Sequence, residues 1–411
     1  MSVDTATGYG ALIRQHPQFR VLWFGHTMLN LGEVLKTLAL AVLIYSRTGS
    51  PLLSAIAFIS GYLPQLMGSA TLLSLTDRLA PRRVLVCYEL LRAGGAALLA
   101  SDWLPVGGML GLALLFGFFD PVPAAMKSAL LTDILGVGDR YLLGQSMFNI
   151  TIGGVQITGF AVGGALLGWL SPSDLLWFVA GLAVISAAVL ALGMTAWPAR
   201  SPADRTWSPW AGIAATWTQN RQLLGVPRLR RLVAALCLPA GWIVGGEAIM
   251  TPYAAEVGSA RMAGTILAAS ALGMLVGDVL AARLIPARWR QRFTLPLALL
   301  LGLPYLLFLT RPGEAPAAVL AGVAAVGFGY NLCLQVPFLH SVPAGQRGQA
   351  MGLSTAAMMS CQGISAAAAG WLAEVWRPSA AISCVAALSL VCSLLLVRPV
   401  ARWSGPGDLT T

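Results

Sequence analysis

Five acidic residues fall inside or at the edges of long apolar stretches of this sequence: Glu33, Glu89, Asp120, Glu247 and Asp278. If these stretches lie in a lipid bilayer, a charge at its centre costs about 2.5–3.5 kcal/mol on insertion scales. Each acid must therefore be paired, protonated or turned toward water. A carboxyl group in such a place is suited to bind and release a proton, because burial away from water favours its neutral form.

Two of the acids have a basic residue three positions later, so that both members of each pair share one helix face. Glu89 precedes Arg92 in this way, and we interpret that pair as structural. Glu33 precedes Lys36, but Asn30 lies on the same face as Glu33. We therefore predict that Glu33 binds a proton, with a purely structural ion pair as the alternative.

The other two candidates for proton binding are marked by residues that disturb a helix. Asp120 stands directly before Pro121-Val122-Pro123, where a broken helix exposes backbone carbonyl groups to a cavity. Glu247 follows Gly245-Gly246 in the middle of an apolar run. The predicted proton-coupling residues are thus Glu33, Asp120 and Glu247.

Uncharged amide side chains mark a predicted substrate cavity. Amides along a largely aromatic and aliphatic wall suit an amphipathic organic substrate. Hydrogen bonding between helices is the alternative role for each of these residues taken alone. The candidates are Asn30, Asn149, Gln156, Asn331 and Gln335.

The sequence gives no sign of a metal site, a cofactor or a catalytic centre. Its six cysteines show no CxxC spacing, its three histidines are scattered, and it contains no Gly-Lys-Ser/Thr phosphate-binding stretch. We therefore expect neither a metal nor a cofactor, and we do not expect an enzyme.

The elements that must position these residues are predicted to be membrane-spanning helices. Of 411 residues, 57% are hydrophobic and only 10% are charged, whereas soluble domains average about 25% charged residues. The apolar stretches are long runs rather than short alternating segments, which favours helices over a barrel. Since one span needs about 20 apolar residues, the chain supplies twelve candidates. They begin near Phe19, Pro51, Val84, Pro105, Leu142, Asp174, Leu232, Met262, Phe293, Pro316, Gln349 and Ser379.

A short internal repeat divides these predicted spans into two halves. Gly144-Gln145-Ser146-Met147 opens the fifth span, and Gly348-Gln349-Ala350-Met351 opens the eleventh. Parallel repeats suit a rocker-type transporter, in which one half tilts against the other. We predict an all-α membrane protein with twelve transmembrane helices in two parallel-repeat six-helix bundles. Its divisions are an N-terminal half at 1–196, a cytoplasmic linker at 197–231, a C-terminal half at 232–399 and a cytoplasmic tail at 400–411.

The net charge of +10 is spread over alternate loops rather than gathered on one face. By the positive-inside rule the arginine-rich loops lie in the cytoplasm, and this places both termini there. The anionic leaflet is then the partner of these arginines, and nucleic acid is not. The N-terminus has no short apolar core followed by a small-residue cleavage site, so we expect no signal peptide. We expect a multi-pass protein of the bacterial inner membrane that acts as a monomer.

The segment between the second and third spans resembles the loop signature of the major facilitator superfamily. It reads Thr76-Asp77-Arg78-Leu79-Ala80-Pro81-Arg82-Arg83-Val84. The stretches FRVLWFGHTMLNLGE, IYSRTGSPLLSA and SALLTDILGVGDRYLLGQSMFN are similar to that superfamily's third drug:proton antiporter group. The signature is matched at Asp77, Arg78, Arg82 and Arg83, whereas Leu73, Ala80 and Pro81 depart from it.

The resemblance implies a role for the loop as a conformational latch formed by Asp77, Arg78, Arg82 and Arg83. An acid beside fixed arginines can hold two helices together in one state and release them when the pairing changes. The alternative is that the arginines serve only to orient the chain in the membrane. We favour the latch, because Asp77 is an acid where orientation alone would favour bases.

The resemblance also implies proton-coupled export of a small amphipathic organic compound. Such a compound would be a drug, an antibiotic or a siderophore-like metabolite, which would make the protein an antiporter with a part in multidrug resistance. A lipid flippase or a nutrient importer on the same fold is the alternative. A membrane-embedded enzyme is less well supported, since the sequence has no paired metal-binding carboxylates and no His-rich cluster.

Overall fold

A computed structural model gives the fold of the chain. It describes residues 9–72, 79–101, 103–136, 139–196, 221, 223–258, 261–342 and 347–401. Regular structure in these residues is helical throughout, with no β-strand among them. The predicted all-α fold class is therefore confirmed.

Nine helices lie in the part of the chain before residue 197. They are α1 Tyr9–Gln15, α2 Pro17–Thr48, α3 Pro51–Phe58, α4 Tyr62–Leu72, α5 Pro81–Ala100, α6 Val106–Phe119, α7 Pro121–Leu135, α8 Asp139–Leu166 and α9 Pro172–Gly193. Several begin with proline at the first helical position, where its missing N–H group costs nothing and its fixed φ suits the helix. Ser50 adds a cap to α3, because its hydroxyl accepts a hydrogen bond from the Leu53 N–H at 3.2 Å.

The second part of the described chain is also helical. It contains α10 Pro227–Ala248, α11 Met250–Val257, α12 Arg261–Val279, α13 Ala287–Gly302, α14 Glu314–Val326, α15 Tyr330–His340, α16 Arg347–Val375, α17 Pro378–Cys392 and α18 Arg398–Ala401. Wider π-helical turns at Leu280–Leu284 and Ser393–Val397 extend α12 and α17. Tighter 3-10 turns at Pro304–Thr310 and Gly327–Gly329 follow α13 and join α14 to α15.

Nine helical segments among the described residues are long and apolar enough to cross a membrane. They are Pro17–Thr48, Val106–Leu135, Leu143–Leu166, Pro172–Gly193, Pro227–Ala248, Met262–Leu284, Trp289–Thr310, Glu314–His340 and Pro378–Val397. The chain is thus a multi-pass membrane protein. Three further helical stretches, at 51–72, 81–100 and 347–375, fall outside this set. The count of twelve spans accordingly stays a prediction.

The chain divides into two compact units. The first unit comprises Met1–Leu40 and Pro64–Trp207, and the second comprises Ala41–Leu63 and Ser208–Thr411. The predicted division at 1–196, 197–231, 232–399 and 400–411 stays a prediction, and most of its linker and tail lie outside the described residues.

The second unit includes α3, which packs closely on α16. The backbone of α16 has a glycine, Gly370, where it faces Leu52 and Ala55 of α3. The Ser50 hydroxyl also donates a hydrogen bond to Glu374 of α16. A helix that comes early in the sequence is therefore an integral part of the second unit.

Small residues allow other helices of the second unit to approach one another. Gly273 and Gly277 of α12 face the backbone of Gly322 and Val326, so a larger side chain at either glycine would collide with main-chain atoms. Gly245 of α10 lies against Ser365 of α16 in the same way. Such contacts are the usual basis of helix association in lipid, where burial of apolar surface between helices gives little driving force.

Candidate functional site

A cluster of charged side chains lies inside the first unit, and Glu33 of α2 is bound on both carboxylate oxygens. Lys36 Nζ lies 2.6 Å from Glu33 Oε1, and Arg92 Nη2 of α5 lies 3.3 Å from Glu33 Oε2. The other end of the Arg92 guanidinium reaches Glu89, with 3.1 Å between Nη1 and Oε2. Arg92 thus joins the acid of α2 to the acid on its own helix.

Arg92 also fixes backbone and hydroxyl groups around the cluster. Its Nη2 donates to the Leu29 carbonyl oxygen at 3.1 Å, while Ser186 of α9 donates to Glu89 Oε1 at 3.1 Å. Arg92 and Glu89 are buried, with 7% and 2% of their surface exposed. A planar guanidinium with five donors is suited to this bridging role, which a lysine could not fill. The pairing of Glu89 with Arg92 agrees with the structural role predicted from their spacing.

Asp120 occupies the single position between α6 and α7. Its carboxylate accepts a hydrogen bond from the Tyr88 hydroxyl of α5. The break before Pro121 is a mild one, because the Asp120 N–H still donates to the Phe116 carbonyl oxygen at 3.0 Å. The expected exposure of carbonyl groups at this position is therefore limited by a retained backbone hydrogen bond, and Asp120 is held by Tyr88.

A second buried contact in the first unit involves Lys127 and His26. Lys127 Nζ lies 3.4 Å from His26 Nδ1. The His26 ring stacks on Phe148 with 4.2 Å between ring centroids, and Asn30 Nδ2 donates to the His26 carbonyl oxygen at 2.7 Å. Asn30, predicted for the substrate cavity, is thus engaged in a hydrogen bond along its own helix.

The charges of the cluster balance in number. Three acids and three bases lie in these helices of the first unit: Glu33, Glu89, Asp120, Lys36, Arg92 and Lys127. Burial makes such a set costly unless every charge is compensated. Protonation of one acid therefore leaves a net positive charge, and the contacts of the remaining groups must rearrange.

Glu247, the candidate in the second unit, has neighbours of a different kind. It accepts a hydrogen bond from the Ser270 hydroxyl of α12. Among the described residues its contacts come from hydroxyl-bearing side chains, and no ion pair is formed. The hydroxyl oxygen of Tyr305 is buried nearby and finds no hydrogen-bond partner in the described part of the chain. Glu247 thus differs from Glu33 in lacking a basic partner.

A cavity of about 480 Å³ opens within the second unit. The structure places two of the predicted cavity residues, Asn331 and Gln335, in its wall. Asp278 also lines it, which the sequence marked only as an acid at the end of a span. The rest of the lining is mostly apolar: Leu236, Cys237, Met274, Phe328, Leu332, Phe338, Met351, Ser354, Thr355, Met358, Met359 and Gln362.

The remaining predicted cavity residues lie in α8 of the first unit. Asn149 Oδ1 accepts a hydrogen bond from Gln145 Nε2 at 3.4 Å, and Gln156 is half-buried. The structure therefore does not bring Asn149, Gln156 or Asn30 into the cavity that holds Asn331. Sequence reasoning missed the methionines of that wall.

Two residues of the predicted latch are described. Arg82 donates to the carbonyl oxygen of Ala191 on α9. Arg83 lines a second, almost wholly apolar cavity of about 310 Å³. Asp77 and Arg78 lie outside the described residues, so the structure gives no geometry for the acid of the latch.

A multi-pass helical protein with compensated charges inside one unit and an open cavity in the other has the features of a membrane transporter. The sequence profile of the Major Facilitator Superfamily matches residues 22–340. The chain belongs to this superfamily. It is accordingly a transporter of small molecules and not an enzyme.

Similar proteins agree with this assignment. The multidrug efflux pump Tap of Mycolicibacterium fortuitum is 24% identical over 336 residues, which cover 78% of this chain and 81% of Tap. Among solved structures, the nucleoside transporter NupG superposes with a TM-score of 0.70 at 14% identity, covering 93% of this chain and 98% of NupG. A peptide transporter of the POT type in complex with alafosfalin gives 0.69 at 15% identity, covering 97% and 99%. At these identities the likeness to solved structures concerns the fold alone.

Proposed function

We propose that this transporter exports a small amphipathic organic compound in exchange for protons. The observation that carries the proposal is the 480 Å³ cavity, whose wall combines a few polar groups with aromatic and thioether side chains. Ligand sites for amphipathic compounds have this composition, in which apolar area gives affinity and isolated polar groups give orientation. The efflux direction rests on the similarity to a multidrug efflux pump. We place the protein in the bacterial inner membrane with both termini in the cytoplasm, because this puts the arginine-rich loops inside.

Carboxyl groups in both units support proton coupling. Glu33 has one third of its side-chain surface exposed, so that water can reach it, while its partners Lys36 and Arg92 are almost fully buried. A proton moving down about 100 mV of membrane potential releases ~2.3 kcal/mol. A further ~1.4 kcal/mol comes from each pH unit of gradient. Glu33, Asp120 and Glu247 remain the proposed proton carriers.

The proposal predicts proton-driven uptake into inside-out membrane vesicles. A fluorescent amphipathic dye should accumulate when the lumen is made acidic, and accumulation should collapse when an ionophore dissipates the gradient. Vesicles without the protein provide the control. Dye-stimulated release of luminal protons, followed with a pH indicator, tests the exchange directly.

Two other results would contradict the proposal. Uptake into right-side-out vesicles driven by an inward proton gradient would identify an importer. Movement of a labelled phospholipid between leaflets, without dye transport, would identify a flippase.

The latch gives a second prediction. Asp77→Asn should reduce transport to the level of vesicles without the protein while the amount of membrane-inserted protein stays normal, because the acid that holds the arginines would be lost. Asp77→Glu should retain part of the activity, since it keeps the charge. Full transport by Asp77→Asn, measured at equal protein level, would show that the loop serves only to orient the chain.

A further inference from the structure

The cavity of the second unit contains a hydrogen-bond acceptor that the protein leaves unused. Asn331 lines the cavity, and its Oδ1 atom is buried without a hydrogen-bond partner among the described residues. Buried polar groups are nearly always paired, so an orphaned acceptor in the wall of an open cavity calls for an explanation. A ligand that donates a hydrogen bond there would supply the missing partner.

The other polar groups of the wall show that it is rich in acceptors. The hydroxyl groups of Ser354 and Thr355 both donate to the Met351 carbonyl oxygen, at 2.9 and 3.0 Å, so their donors are already used. Their oxygen lone pairs remain for a ligand. The cavity therefore offers acceptors from two helices, α15 and α16, to an incoming donor.

The electrostatics of the wall point the same way. Asp278 is half-buried in the lining and forms no ion pair with the described side chains. No basic side chain belongs to the lining as the structure describes it. An acid without a compensating base, in a cleft with apolar walls, gives the cavity a negative potential that favours a positive ligand.

The apolar part of the wall determines what the rest of the ligand resembles. Four methionines from two helices line the cavity, Met274, Met351, Met358 and Met359, together with two phenylalanines, Phe328 and Phe338. Thioether side chains are flexible and polarizable, and they make favourable contacts with aromatic rings. This wall suits a flat aromatic body and tolerates variation in its outline.

We propose that this cavity binds an aromatic organic cation that carries N–H groups. Asn331 Oδ1 accepts a hydrogen bond from an N–H group of the ligand, Asp278 compensates its charge, and the methionine wall contacts its ring system. That the ligand is also transported rests on the proposed function, whereas its binding does not.

Three rhodamine dyes with one ring system test this assignment. Rhodamine 6G is a cation with two N–H donors, tetramethylrhodamine ethyl ester is a cation with none, and free tetramethylrhodamine acid is a zwitterion. Binding is measured by fluorescence polarisation with the purified full-length protein in lipid nanodiscs, and empty nanodiscs correct for partition into lipid. We expect the affinity to fall in the order in which the dyes are named.

Variants separate the two interactions. Asn331→Leu should weaken rhodamine 6G by about tenfold, as expected for the loss of one hydrogen bond with a charged donor, and should have little effect on the ester. Asp278→Asn should weaken both cations by about tenfold and leave the zwitterion unaffected. Asn331→Asp retains the acceptor and should still prefer rhodamine 6G. Glu314→Gln, which removes an acid at the start of α14 that only accepts from Thr265, is the matched control.

Equal affinity for the three dyes, or affinities that neither variant changes, would overturn the inference. These results are distinct from a failure of the proposed function. If dye binding follows the expected pattern but no dye accumulates in vesicles, the cavity assignment stands and the export proposal fails. If a neutral compound is exported by proton exchange while the cations fail to bind, export stands and the cavity assignment fails.

Discussion

Replacing Arg92 with leucine is expected to destabilise the first unit more than any other single substitution in its charged cluster. Arg92 is buried and satisfies Glu33, Glu89 and the Leu29 carbonyl oxygen together. Its removal would leave Glu89, only 2% exposed, without a compensating base in contact. Breaking a buried ion pair by removing one partner costs about 3–5 kcal/mol. The loss should appear as a lower unfolding midpoint in detergent, followed by size-exclusion chromatography of heated samples.

Two further variants show whether charge or packing causes the loss. In Arg92→Leu/Glu89→Leu no uncompensated acid remains on α5, so the double variant should be more stable than Arg92→Leu alone by about 1–2 kcal/mol. Arg92→Lys keeps the charge but cannot reach both acids, and it should fall between the wild type and Arg92→Leu. A double variant less stable than either single one would mean that packing of the long side chains dominates.

Part of this cluster could be predicted from spacing alone, and part could not. The pairs Glu33 with Lys36 and Glu89 with Arg92 follow from helical geometry, because residues three apart share a face. The bond from Arg92 to Glu33 joins α5 to α2, and one sequence contains no information on which faces of two helices meet. The presence of three bases among three acids in apolar stretches was the available signal that the charges form one balanced set.

The helices show the same division between local and long-range information. Starts marked by proline, such as Pro51 and Pro121, were evident because proline is favoured at the first helical position. The packing of α3 with α16 was not, because it depends on contacts such as that between Ser50 and Glu374, far apart in the chain. A boundary drawn at the polar linker therefore differs from the division into units that the contacts give.

The cavity could be predicted in outline. Asn331 and Gln335 lie one turn apart, and this spacing placed both on one helix face before the structure was known. Met351 and Met358 are two turns apart on α16, a spacing that also indicates a shared face. Taken alone, such a stripe is as typical of ordinary helix packing as of a ligand site, so only the folded wall distinguishes the two.

Glu33→Gln is expected to abolish proton-driven transport while leaving substrate binding intact. The amide is close in shape to a protonated carboxyl group, so the variant resembles a transporter that has loaded its proton and cannot release it. Lys36, Arg92 and Glu89 would then carry one excess positive charge, and the cluster would remain in the arrangement that follows proton uptake. Dye accumulation in inside-out vesicles should fall to that of vesicles without the protein, whereas binding to nanodiscs should be unchanged.

Glu247→Gln separates the contributions of the two units. Glu247 has no basic partner among the described residues and is held by the Ser270 hydroxyl, which an amide oxygen can also accept from. Its neutralisation should therefore cost little stability. If Glu247 carries a proton, the variant loses proton-driven accumulation but still exchanges labelled for unlabelled dye across the membrane without a gradient. Unchanged proton-driven accumulation in both Glu33→Gln and Glu247→Gln, at the protein level of the Glu314→Gln control, would leave neither acid as the proton carrier. Loss in Glu33→Gln alone would place coupling in the balanced cluster of the first unit, where neutralising one acid disturbs every other charge.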